Sequence, residues 1–229
     1  QNRILDTVSN NMANTNSNGF KRSDLTTSTF GQMMIDRIDS QATPIGKTSI
    51  INTVDQGFTD FSQGIIKETG RSLDFAVQGS GFFAIKTANG IVYTRNGSFN
   101  LDDQGYLILK NVGRVMGKNG EIRLGTANIN ADSSGNLYVN NKKVAQLGIY
   151  SFNSTAELKH IGETTYSGNN PIQLPNALLL WKNVEGSNVD TATELTNAIS
   201  AQRDLQSCTQ ALKMVDQVLG KATTEIAKL

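Results

Sequence analysis

Residues 191–229 read TATELTNAIS AQRDLQSCTQ ALKMVDQVLG KATTEIAKL, and this stretch decides how the rest of the chain is read. Ala198, Ala201, Leu205, Cys208, Leu212, Val215, Leu219, Ala222, Ile226 and Leu229 recur at spacings of three and four. That period of 3.5 keeps one apolar stripe facing a partner along a whole helix, which is the coiled-coil pattern. No proline interrupts it, and Thr191 with Glu194 fits a capping box at its start. At about 1.5 Å per residue, the seam from Ala198 to Leu229 extends roughly 50 Å. The seam is narrow and the opposite face is polar, so it suits a slim partner such as another helix; packing onto the chain's own domain is the alternative. A C-terminal coiled-coil helix is therefore expected within 187–229.

Working outward, the N-terminal stretch repeats the spacing at Leu5, Val8 and Met12. A helix there must end in the run Asn14-Thr15-Asn16-Ser17-Asn18-Gly19, because Asn and Ser compete for backbone hydrogen bonds and Asn and Gly accept left-handed angles. Residues 1–20 thus read as an N-terminal helix and turn, with Phe20 as an apolar anchor beyond it. The two end helices are expected to pair as a coiled coil. Residues 21–70 read as an extended connecting arm punctuated by Gly57, Gly64 and Gly70, with a short amphipathic helix from Phe30 to Ile38. Residues 71–170 read as β. Short β-branched and aromatic runs alternate there with turn signals such as Asn89-Gly90, Asn119-Gly120 and Asn140-Asn141. An irregular sandwich or barrel follows from that spacing. Residues 171–186 read as a bridge. The fold class is α+β, a mainly β central domain between terminal helices.

Composition excludes several functions. Lys and Arg total 21 against 20 Asp and Glu, so no long-range field favours nucleic acid or an anionic membrane. Cys208 and His160 are the only residues of their kinds, which rules out an intramolecular disulfide and leaves a zinc site or a histidine triad without partners. No apolar run approaches the roughly 18 residues of a membrane span, and no signal peptide is visible. The adjacent Asp102 and Asp103 would point to opposite faces of a strand, and Asp102-Asp103-Gln104-Gly105 reads as a turn without the spacing of a calcium loop. Neither an enzyme nor a cofactor is expected. A binding module on a helical stalk, with Trp181 and Tyr166 as surface anchors, is a further reading; the same two rings as core residues is its counterpart.

Several blocks together resemble the flagellar rod and hook axial proteins. These are Ser9-Asn10-Asn11-Met12-Ala13-Asn14 with Gly19-Phe20-Lys21; residues 72–83, SLDFAVQGSGFF; Tyr93-Thr94-Arg95-Asn96-Gly97-Ser98-Phe99 with Gln104-Gly105-Tyr106-Leu107; and Glu185-Gly186-Ser187-Asn188-Val189-Asp190 with Ile199-Ser200-Ala201-Gln202-Arg203. They fall in order across nearly the whole chain. Where that family usually has Thr-Pro or Thr-Thr before the glycine, this chain has Ser17-Asn18. The resemblance implies a structural subunit of the basal-body rod that polymerises into the axial drive shaft, with a hook-type axial protein as the alternative. It implies partners in further copies and in other rod and hook proteins, location in the flagellar basal body, and export through the flagellum's own type III apparatus without a cleaved signal. Neither nucleic acid nor membrane insertion is implied. With the apolar stripes, it places subunit contacts at Leu5, Val8, Asn11, Met12, Asn14 and Phe20; at Asn188, Val189 and Arg203; and along the seam at Leu205, Leu212, Val215, Leu219 and Ile226. Asn10, Asn11 and Asn14 would bond across subunits or line a wet channel, since buried amides need partners.

Overall fold

The computed structural model of the chain describes residues 2–38, 42–155, 158–175 and 177–226. Among the described residues the chain is mostly β with two helices, an α+β fold. It divides into two compact units, one of residues 1–12, 23–59 and 191–229, the other of residues 13–22 and 60–190.

The first unit holds both helices, α1 (Asn2–Ala13) and α2 (Thr191–Ile226). The 36 residues of α2 span about 54 Å. Between them in sequence lie β1 (Ser23–Ile38) and β2 (Ala42–Thr59), antiparallel from Ser23↔Thr59 to Ile38↔Ala42. The arm read at 21–70 is thus largely a long hairpin, and the short helix expected from Phe30 to Ile38 is strand, with Phe30 opposite Ile51. The stretch is rich in Thr and Ile, which lose rotamer freedom in a helix and fit a pleated ribbon. A partner strand of similar length then completes a ladder that two helical turns cannot match.

The second unit is built outward from Phe82–Thr87. That strand pairs with Gly90–Thr94 on one side and Gly113–Gly117 on the other. Thr165–Ser167 and Lys159–Gly162 continue the sheet beyond the first; Leu107–Leu109 and Asn100–Leu101 continue it beyond the second. The outermost strands do not pair with each other, so the sheet stays open and the barrel alternative fails. The turn chemistry is as read. Asn140 and Asn141 take positive φ of 49° and 63° in the two-residue link between Val139 and Lys142. The stretch 171–186, read as a bridge, carries strands: Leu178–Trp181 pairs with Phe75–Gln78, and Asn183–Glu185 with Ile66–Glu68. Both partners lie far upstream, beyond the reach of any local pattern.

The run Phe82-Phe83-Ala84-Ile85 is apolar at successive positions because its strand is covered on both faces. Phe83 and Ile85 join one buried cluster with Phe75, Phe99, Leu107 and Leu137. Phe82 and Ala84 join another with Tyr93 and Tyr166. The Phe83 and Phe99 rings meet edge to face, with centroids 5.1 Å apart. Phe83→Ala is expected to lower unfolding free energy by about 3–5 kcal/mol. Ile91→Ala, at a half-exposed position, should change it by about 0.5 kcal/mol or less. Urea unfolding followed by near-ultraviolet circular dichroism measures both.

A buried ionic clasp and an exposed helical stripe

Lys21, Arg95 and Glu185 are 0%, 3% and 0% exposed, and they meet inside the second unit. The Lys21 Nζ lies 2.6 Å from Glu185 Oε1 and donates to the Ser62 carbonyl at 2.5 Å. Arg95 Nη1 lies 3.3 Å from Glu185 Oε2 and its guanidinium sits 4.9 Å above the Phe82 ring. The Gly64 N–H donates to Glu185 Oε1 at 2.9 Å, and the Gly19 N–H to the Glu185 carbonyl at 2.7 Å. One carboxylate therefore answers two cations. Burial pushes the Lys21 ammonium below its ordinary value while Glu185 pulls it back up, and Arg95 is subject to the same opposition. The polar cluster extends through Asn188. Its Oδ1 accepts from the Arg22 N–H at 2.7 Å, and its Nδ2 donates to the Asp60 carbonyl at 2.8 Å. The Asp60 N–H closes the ring onto the Arg22 carbonyl at 2.8 Å. Segment ends at 22, 60 and 188 are thereby tied at one point.

In the first unit, Asn11 is fully buried and its amide grips the first residue of β1. Oδ1 accepts from the Ser23 N–H at 3.1 Å and Nδ2 donates to the Ser23 carbonyl at 2.8 Å. Nδ2 also approaches Oε2 of the buried Glu194 at 3.4 Å. Val8 and Ala201 are buried, Leu5 and Met12 half-buried. Farther along α2 the apolar side chains face solvent: Leu212 is 66% exposed, Val215 54%, Val218 66% and Leu219 58%.

The residues read as contacts thus fall into two groups. Asn11 and Val8 in the first unit, and Asn14, Phe20 and Val189 in the second, are buried within the chain. Asn188 is tied as above. Arg203, Leu212, Val215 and Leu219 are exposed on α2, with Leu205 half-buried. The side chain of Ile226 lies outside the described residues. Tyr166 is buried, and Trp181 is half-buried with its Nε1 donating to the Ser72 carbonyl at 2.8 Å, so neither is the free surface anchor considered from sequence. The clasp itself was missed. Its signal was present: each of three recognised blocks carries one of its charges, Gly19-Phe20-Lys21, Tyr93-Thr94-Arg95 and Glu185-Gly186-Ser187.

Residues 76–146 match the flagellar hook protein FlgE/F/G D1 domain, and residues 182–225 match the C-terminal region of the flagellar basal body rod FlgEFG proteins. Over 248 residues the chain is 32% identical to the flagellar basal-body rod protein FlgG of Bacillus subtilis, covering 94% of this chain and 90% of that one. The chain belongs to the flagellar basal-body rod protein family. A second rod protein, FlgG of Buchnera aphidicola subsp. Schizaphis graminum, is 32% identical over 95% of this chain and 92% of its own. The rod protein FlgF of Caulobacter vibrioides is 27% identical over 99% and 93%. In this rod protein the D1 match lies wholly within the second unit, and the C-terminal match takes in Glu185, Asn188 and nearly all of α2.

Removing one member of a buried ionic group strands the others without water. Glu185→Ala is expected to cost about 3–5 kcal/mol, because Lys21 and Arg95 lose their shared counter-ion. Glu121→Ala, which breaks the surface pairs with Lys86 at 2.7 Å and Arg114 at 2.9 Å, should cost less, about 1–2 kcal/mol. Equilibrium denaturation of the full chain separates the two.

Proposed function

We propose that this protein is a structural subunit of the flagellar basal-body rod that polymerises through its terminal helices into the axial shaft carrying torque from motor to hook. The observation that carries this reading is the stripe Leu212, Val215, Val218 and Leu219, four large apolar side chains more than half exposed on one long helix. Water-facing apolar surface of that extent is costly, and a neighbouring helix with the same period covers it. α1 and α2 pair there as a coiled coil, within one subunit and between neighbours, while the strands of 71–170 pack as an irregular sandwich. Heterologous contacts between copies, where the rotation does not close a ring, generate filaments.

The residues that meet neighbouring copies are Arg203, Leu205, Leu212, Val215, Leu219 and Ile226, with Leu5 and Met12 on α1. Asn11, Asn14, Phe20, Asn188 and Val189 serve the interface from behind, by holding the segments that present it. Its partners are other copies of itself and the other axial proteins of rod and hook. It reaches the basal body through the flagellar type III export apparatus, and it neither holds a cofactor nor catalyses a reaction. Family membership supports the location. No helix among the described residues is long and apolar enough to cross a membrane.

The double variant Leu212→Asp/Leu219→Asp separates assembly from folding. Its thermal midpoint should stay within about 2 °C of the parent, because both side chains face solvent. Purified basal bodies from cells carrying only this variant should lack the subunit, and the cells should not swim. Normal incorporation of the variant into basal bodies would overturn the proposal.

A further inference from the structure

Two stretches of the second unit repeat one another at a constant offset of thirty residues. Asn100, Asp102, Gly105 and Leu107 stand against Asn130, Asp132, Gly135 and Leu137. The strand pairing carries the same offset, Asn100↔Ile108 and Leu101↔Leu107 against Asn130↔Tyr138 and Ala131↔Leu137. So do the corners. Asp102 Oδ1 accepts from the Gln104 and Tyr106 N–H groups at 3.0 and 2.7 Å; Asp132 Oδ1 accepts from the Ser134 and Asn136 N–H groups at 3.0 and 2.9 Å. Gly105 and Gly135 hold φ of 79° and 77°. Their N–H groups donate back to the Asp102 and Asp132 carbonyls at 2.9 and 3.0 Å. Leu107 and Leu137 are both fully buried. The returning segments make the equivalent bond, though not at the same offset: the Leu124 N–H donates to the Gly105 carbonyl at 2.8 Å, and the Leu147 N–H to the Gly135 carbonyl at 2.9 Å.

We infer that residues 99–124 and 129–147 are two copies of one β-meander, and that Asp102 and Asp132 are its equivalent corner posts. The first copy reaches its return strand by a longer route, through the hairpin of Gly113–Gly117 and Gly120–Glu121. The copies differ in how they use the second carboxylate oxygen. Asp102 Oδ2 lies 3.3 Å from Arg114 Nη2, whose guanidinium stacks 4.0 Å from the Tyr106 ring. Asp132 Oδ2 instead accepts from Asn136 Nδ2 at 2.7 Å and Tyr138 OH at 3.1 Å. One corner is finished by charge, the other by neutral donors. In both, the oxygen that shapes the turn is committed to backbone amides, a bond that a neutral side chain without an acceptor cannot replace.

The full-length chain tests this by thermal unfolding and near-ultraviolet circular dichroism. Asp102→Ala and Asp132→Ala should lower the midpoint by similar amounts, several degrees each, while Asp103→Ala and Ser133→Ala leave it unmoved. Transposing residues 102–106 with 132–136 should keep the native spectrum and a midpoint above that of either aspartate variant. A transposed chain less stable than both aspartate variants, or a loss confined to one aspartate, would overturn the equivalence.

Discussion

A carboxylate with no access to water must be answered by charge and by donors, and Glu185 is answered by both. Lys21 and Arg95 supply two cations, Gly64 a backbone donor, and the Glu185 carbonyl takes a further bond from Gly19. These groups come from four separate stretches of sequence, so none can find its place until all four do. Burying three charges is expensive in itself. What the clasp contributes is uniqueness: a shifted segment would leave a charge stranded, and the Arg22–Asn188–Asp60 ring beside it leaves the backbone ends no second arrangement. The clasp joins the core where the Arg95 guanidinium lies over Phe82, a member of one of the open sheet's two clusters.

The helix α2 follows the opposite logic. Near its start it is satisfied, with Glu194 and Ala201 buried. From Cys208 to Leu219 its apolar side chains are left to water. A chain that took such care over the charges in its interior, yet exposes Leu212 and Leu219, is completed by something other than itself. On the reading proposed above, that something is the neighbouring subunit.

Much of this was legible beforehand. The heptad seam marked α2, and the Asn-containing turns marked the short strands, because both signals are local and periodic. The ordered blocks marked the family. The hairpin of β1 and β2 was not legible: Phe30 to Ile38 has a weakly helical spacing, and only the distant ladder from Ala42 to Thr59 decides for strand. The same holds for Leu178–Trp181, whose partner Phe75–Gln78 lies at the other end of the unit's sequence. Among the contact residues, Asn11 was recognised as an amide that must be paired, but not that Ser23 and Glu194 would pair it within the chain.

By itself, then, the sequence determined what depends on near neighbours: helix period, turn residues, the alternation or continuity of apolar runs, and the charge balance. Only the tertiary structure decided which of those pieces meet. A strand's partner, the burial of Lys21, Arg95 and Glu185, and the exposure of Leu212 are all set by contacts between residues distant in the chain. Pairing of that kind leaves no period to read, because its free energy depends on closing long loops and excluding water at a point that exists only once the chain has folded.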